Sequence, residues 1–188
     1  MQAYIALLRG INVSGQKKIK MADLKVLFED LGFNEIQTYI QSGNVVFFTQ
    51  QDDQYLLENH IKTSIKKQYG FDVPVTVLNK NEFCTVHDNI PLAKFNVDDI
   101  NESGTKVYIS FLSNKPEKDA INKLLSYVIA PEKLIIDDSF AYLYCPNGYG
   151  KSKLSNNFIE NKLKVTSTTR NWKTVVEMHK MLNVKESN

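Results

Sequence analysis

The sequence predicts an α+β fold built from two ferredoxin-like βαββαβ units, with antiparallel sheets and one added C-terminal helix. Three observations carry that prediction. Short apolar runs of strand type alternate with stripes that repeat every three to four residues. The order of strands and helices in residues 1–78 recurs in residues 105–188. Gly, Asn and Ser punctuate the joins where the chain must turn. Units of this kind place their helices on one face of an antiparallel sheet.

Each element follows from its residues. Residues 3–9 read as a strand. Met21, Leu24, Leu27, Phe28 and Leu31 form a helical stripe that Gly32 ends. A short strand near 35–39 leads through Gln41-Ser42-Gly43-Asn44 into a strand at 45–49. Leu57, Ile61 and Ile65 mark a helix stopping at Gly70, and 73–78 is the fourth strand, with Pro74 suiting an edge or a strand start. The connecting segment 79–104 is acidic and holds a short helix near 81–87. In the second unit, 106–111 is a strand, and Ile121, Leu124, Leu125 and Val128 line a helix. Segments 134–137 and 140–145 pair as a hairpin through Asp138-Ser139. Leu154, Phe158, Ile159 and Leu163 make the next helix, and 165–168 is the last strand. Trp172, Val175, Val176, His179 and Leu182 share the stripe of the added helix. Ile5 and Leu7 alternate with equally apolar Tyr4, Ala6 and Leu8, so the sheets are predicted to be covered on both faces.

Composition narrows the function. A chain of 188 residues that is 43% hydrophobic builds a real core. Its net charge of +2 does not by itself indicate nucleic acid. Residues 105–188 nevertheless carry 13 basic against 8 acidic groups, with the surplus after Gly148. Cys84 and Cys145 make neither a disulfide framework nor a zinc pattern, and His60, His87 and His179 are scattered. No metal or cofactor is expected. The N-terminus starts a strand rather than a secretion signal, and no run approaches the ~20 apolar residues of a membrane span. These features predict a soluble cytoplasmic protein and leave its oligomeric state open.

Only two of the 23 basic residues are arginines, and both lie in turn segments beside asparagine. A guanidinium is a planar five-donor fork suited to carboxylate and phosphate. Arg9 opens Gly10-Ile11-Asn12-Val13-Ser14-Gly15, followed by Lys17, Lys18 and Lys20. Such a loop can wrap an anion with backbone N–H groups. Equally, Arg9 can pin the loop to main-chain carbonyls or to an acid. Gln41, Ser42 and Asn44 offer amide and hydroxyl groups, either to a ligand or as ordinary turn chemistry that holds the Arg9 loop. The segment 146–152 ends in Gly150-Lys151-Ser152, like a phosphate-binding loop. The required GxxxxGK[ST] puts its first glycine at Cys145, so the pattern is not met. A simpler anion nest remains there, with Ser152 as helix cap and Lys151 as a mobile charge. Arg170 and Asn171 open the last helix in this reading, where a cation opposes the helix dipole unless an acid or an external anion compensates it. Trp172 and His179 read as packing residues.

These segments resemble the DUF1697 family of bacterial proteins of unknown function. The resemblance rests on Leu8-Arg9-Gly10-Ile11-Asn12-Val13, on Lys20-Met21, and on Thr38-Tyr39-Ile40-Gln41-Ser42-Gly43-Asn44-Val45. It continues in Pro146-Asn147-Gly148, in Ser152-Lys153-Leu154, and in Thr169-Arg170-Asn171-Trp172 with Thr174. Ser14-Gly15 departs from the family's usual Gly-Gly. The resemblance implies a duplicated ferredoxin-like fold and supplies no reaction.

The leading expectation is therefore a protein that binds a phosphate-bearing small molecule or nucleic acid. Arg9, Asn12, Lys17, Gln41, Ser42, Asn44, Lys151, Ser152, Arg170 and Asn171 are its candidate contacts, with Lys18 and Lys153 adding to the field. No aromatic RNA-binding signature appears in the strands. One alternative is an enzyme for a small anionic substrate, with Ser42 or Ser152 near the reacting centre but no evident base. Another is a structural or partner-binding protein whose arginines are internal clamps.

Overall fold

Strand alternation and glycine-terminated helices produce two antiparallel four-stranded sheets. The computed structural model describes residues 1–91, 94–95 and 106–183. The first half contains β1 (Gln2–Leu8), α1 (Met21–Asp30), β2 (Asn34–Tyr39), β3 (Asn44–Thr49), α2 (Gln54–Tyr69) and β4 (Val75–Asn79), then α3 (Lys80–Asp88). The second half contains β5 (Val107–Leu112), α4 (Lys118–Leu125), β6 (Lys133–Asp137), β7 (Phe140–Tyr144), a 3-10 turn (Tyr149–Lys151), α5 (Asn156–Leu163), β8 (Ser167–Asn171) and α6 (Trp172–Asn183). The duplicated βαββαβ order and the added helix are thus both present.

The sheets share one order. In the first it is β2-β3-β1-β4, and in the second β6-β7-β5-β8. Strand β1 is central, with Ile5 opposite Val46 on β3 and opposite Leu78 on β4. Its Tyr4, Ala6 and Leu8 belong to the first core, with Leu24 and Phe28 of α1, Phe47 of β3 and Leu57 and Ile61 of α2. The alternate residues Ile5, Leu7 and Val46 are also fully buried, as the two-sided apolar pattern predicted. In the second half, Leu112, Ala141, Leu143 and Cys145 join Leu124, Ile159 and Leu163 in a separate core. Its alternate residues Ile109, Phe111 and Tyr142 are buried as well.

Local chemistry places the element ends. After α1, Gly32 takes φ 77°, which an L side chain resists. That conformation lets the Phe33 amide reach the Phe28 carbonyl at 3.2 Å and the Gly32 amide reach the Glu29 carbonyl at 2.9 Å. The Phe28 and Phe33 rings meet edge to face at 5.6 Å, the apolar contact that accompanies such a stop. Asp53 caps α2 by accepting from the Leu56 amide. Pro74 lacks an N–H and lies just before β4, where its carbonyl accepts from the Arg9 amide at 2.9 Å.

The last strand lies later than its apolar residues suggest. Pairing with β5 runs from Leu112 opposite Ser167 to Tyr108 opposite Asn171. Ladder hydrogen bonding rather than hydrophobicity sets that strand, so Arg170 is a strand residue next to Asn171, after which α6 begins. The connecting segment begins with α3 as expected, and its residues 92–93 and 96–104 lie outside the described residues. Contacts divide the chain into two compact units. One is Met1–Thr85 with the part of α6 from Glu177 onward, and the other is Val86–Val176.

Candidate functional site

The segment between β1 and α1 is an unusual piece of backbone. Gly10, Asn12, Ser14, Gly15 and Lys17 all have positive φ, between 44° and 76°. Asparagine tolerates that region better than most residues, and at position 12 it also closes the loop. Its Nδ2 donates to the Ile19 carbonyl at 2.8 Å, and its Oδ1 accepts from the Ile19 amide at 2.9 Å. The second Nδ2 hydrogen goes to the Gln41 carbonyl at 2.9 Å, tying this loop to the β2–β3 turn. Buried Ile11 and Ile19 anchor the loop below.

The β2–β3 turn is held by Asn44, which is wholly buried. Its Nδ2 donates to the Tyr39 carbonyl at 3.0 Å and to Ser42 Oγ at 2.9 Å. Gly43 is required by space. A Cβ there would lie 2.6 Å from Leu8 Cβ and 2.8 Å from Ile11 Cδ1. The close approach lets the Leu8 amide donate to the Gly43 carbonyl at 2.8 Å.

Together the two loops and the start of α1 form an open cleft of about 550 Å³. Asn12, Gly15, Ile19, Met21 and Gln41 are among its lining residues, although the Ile19 side chain itself is buried. Lys18, Lys20 and Asp23 bring its charges. Lys20 is also the N-cap of α1 and gives no side-chain hydrogen bond to the helix. The first-turn N–H groups and the positive end of the helix dipole therefore lie at this cleft without a capping side chain.

Of the predicted contacts, Asn12 and Gln41 are lining residues. Asn12 acts as scaffold, because both of its amide hydrogens are committed to carbonyls. Lys17 donates to the Asp72 carbonyl at 2.7 Å and fastens the loop. Arg9 is half-buried beside Pro74, and Ser42 and Asn44 are turn braces. Lys18, Lys20, Met21 and Asp23 complete the cleft. The run Lys17-Lys18-Ile19-Lys20 was a legible signal for the lysines, and nothing singled out Asp23.

The second unit treats its predicted residues differently. Ser152 does not cap the helix. Its Oγ accepts from the Leu154 amide at 3.0 Å, and α5 begins later, capped by Ser155. Lys151 is exposed at the end of the 3-10 turn. Arg170 is only 9% exposed, and its Nη1 donates to the Thr169 carbonyl at 3.0 Å. Burial lowers its pKa to about 10, still high enough to keep the guanidinium charged at neutral pH. Asn171 Oδ1 accepts from the Thr174 amide at 2.8 Å and caps α6. Trp172 is buried and stacks on His87 with ring centroids 5.2 Å apart, a packing role.

A polar network missed by sequence reasoning lies under α5. Ser110 Oγ and Thr169 Oγ1 share a hydrogen bond, and Thr169 Oγ1 donates to Asn156 Oδ1 at 2.6 Å. Ser167 Oγ reaches the same Asn156 oxygen at 2.9 Å, and Glu160 Oε1 accepts from the Ser167 amide at 2.7 Å. Ser110 and Thr169 stand opposite each other in the β5–β8 register. Ser110 within the apolar strand β5 was the available sign. Mutual hydrogen bonding explains these hydroxyls without a ligand.

No described helix is long and apolar enough to cross a membrane. The chain is similar over its length to the conserved bacterial protein SP0830 from Streptococcus pneumoniae, whose structure superposes with a TM-score of 0.74 at 23% identity. That likeness covers 96% of this chain and 98% of the other, and it speaks to the fold. No curated protein matches. The family model described as "Protein of unknown function (DUF1697)" matches residues 1–142, so the chain belongs to the DUF1697 family.

Proposed function

We propose that the first unit binds a phosphate-bearing small molecule in the cleft between the Arg9–Lys20 loop and the β2–β3 turn. One observation carries this reading: Lys18 and Lys20 meet at a cleft of about 550 Å³ where α1 starts without a capping side chain. Helix N-termini attract phosphate because their N–H groups point outward and the dipole favours negative charge. A cleft of this size falls in the usual range for small-molecule sites, about 300–1,000 Å³. Asn12 shapes the site, and Gln41 lines it. Among the ten expected contacts, Arg170 is better read as an internal strut, given its burial and its bond to Thr169. The sheet orders β2-β3-β1-β4 and β6-β7-β5-β8 support the ferredoxin-like reading of both units.

The enzyme reading draws no support from its two serines. Ser42 Oγ accepts from Asn44 and Ser152 Oγ from the Leu154 amide, so each closes a turn.

Calorimetric titration with inorganic phosphate and pyrophosphate at low and high salt tests the proposal. Binding should weaken as salt screens the exposed lysines. Each exposed ion contact is worth up to about 1 kcal/mol, so Lys18→Ala with Lys20→Ala should weaken binding by roughly tenfold without lowering the melting temperature. Absence of binding at low salt, or full affinity in the double variant, would overturn the reading.

A further inference from the structure

We propose that the cleft selects a hydroxyl-bearing phosphate ester, such as a polyol or sugar phosphate, with Asp23 reading the hydroxyl. This rests on the phosphate-binding reading above and concerns the rest of the ligand. The cleft holds three ionisable side chains, Lys18, Lys20 and Asp23. None has a hydrogen-bond or ion-pair partner among the described residues, although Lys17 next door is fastened to a carbonyl. Asp23 stands in the first turn of α1, where it complements the helix dipole, and at the lip of the cleft it also repels a bare phosphate. An ionised carboxylate accepts hydrogen bonds and donates none. Its natural counterpart is a hydroxyl on the same ligand whose phosphate the lysines hold.

The apolar wall and the volume point the same way. Met21, at the start of α1, gives a carbon skeleton something to lie against, and a bare phosphate would fill only a small part of about 550 Å³. Asp23 also disfavours a polyanion, because a second phosphate beside the first would meet its charge. The site therefore suits one phosphate, a short carbon frame and at least one hydroxyl.

Titration of the full chain with glycerol 3-phosphate, n-propyl phosphate and inorganic phosphate separates the possibilities. The two esters share the phosphate and the three-carbon frame and differ in their hydroxyls. Glycerol 3-phosphate should bind roughly ten- to a hundredfold more tightly than n-propyl phosphate, the usual effect of a hydrogen bond to a charged group. In Asp23→Asn that preference should shrink severalfold while inorganic phosphate binds more tightly, because repulsion is gone. Asp23→Glu should restore part of the preference, and melting curves of both variants check folding. Equal affinity of the two esters for the native chain would overturn the inference while leaving phosphate binding standing. Retention of the full preference in Asp23→Asn would do the same. If inorganic phosphate and both esters all fail to bind, the phosphate reading falls and this inference with it. A single-stranded RNA oligonucleotide that outcompetes glycerol 3-phosphate and ignores Asp23→Asn would also overturn it.

Discussion

Replacing Asn12 tests whether the cleft is built by one side chain. In the native chain Asn12 makes three side-chain hydrogen bonds, two with Ile19 and one with the Gln41 carbonyl. A net value of about 0.5–1.5 kcal/mol per bond makes their joint loss worth about 2–4 kcal/mol. The backbone adds a second effect. Asn12 sits at φ 57°, a conformation that costs alanine about 1–2 kcal/mol and glycine nothing. Glycine instead enlarges the unfolded ensemble, at a cost of about 0.5–1 kcal/mol. Asn12→Ala is thus expected to destabilise by about 3–6 kcal/mol, and Asn12→Gly by somewhat less. For a chain of this size each kcal/mol moves the melting temperature by roughly 2–4 °C. Circular dichroism melts of the two variants beside the native chain give the comparison. Both should also lose phosphate binding, because the loop no longer holds Lys18 and Lys20 against the β2–β3 turn. A change under about 2 °C for Asn12→Ala, or a glycine variant clearly less stable than the alanine one, would refute the reasoning.

Three further outcomes are expected. Gly43→Ala should cost about 2–5 kcal/mol in urea unfolding, because the new Cβ meets Leu8 and Ile11 in a left-handed backbone. Burial, with a smaller push from Asp137, raises the Tyr142 pKa to about 12. With its folded pKa above the unfolded value of about 10, its contribution is complete below pH ~10 and lost as pH climbs through ~12. Native stability minus that of Tyr142→Phe should therefore fall across this window, and difference absorbance at alkaline pH should lose a late-ionising tyrosine in Tyr142→Phe. Burial likewise raises the Cys145 thiol to about 11, partly offset by a hydrogen bond from Ser152. Iodoacetamide at pH 8 should label Cys145 only after unfolding, as read by peptide mass spectrometry.

The element order was legible because it depends on local signals. Leu24, Leu27 and Phe28 repeat at helical spacing, and Gly32 and Gly70 supply the positive φ that ends α1 and α2. Two-sided apolar strands announced that both sheet faces would be buried. Ser152 shows where local reading fails. A serine before an apolar stripe can cap a helix or brace a turn. Here Ser152 stands in extended backbone after the 3-10 turn, and α5 starts only at Asn156 with Ser155 as its cap. Two serines compete for one helix start, and the path of the chain between them decides which one caps.

What the sequence by itself determined is the duplicated α+β architecture and the loop that forms the candidate site, since periodicity, glycine placement and turn chemistry act over a few residues. What only the tertiary structure decided is which polar groups remain available. Asn12 and Lys17 are taken up by carbonyls of distant chain segments, and buried Asn44 and Arg170 by the nearby carbonyls of Tyr39 and Thr169. Lys18, Lys20 and Asp23 are left facing one cleft because the β1–α1 loop folds back against the β2–β3 turn. Hydrogen-bond partners 29 and 55 residues away fix that loop, and no local pattern encodes such distances.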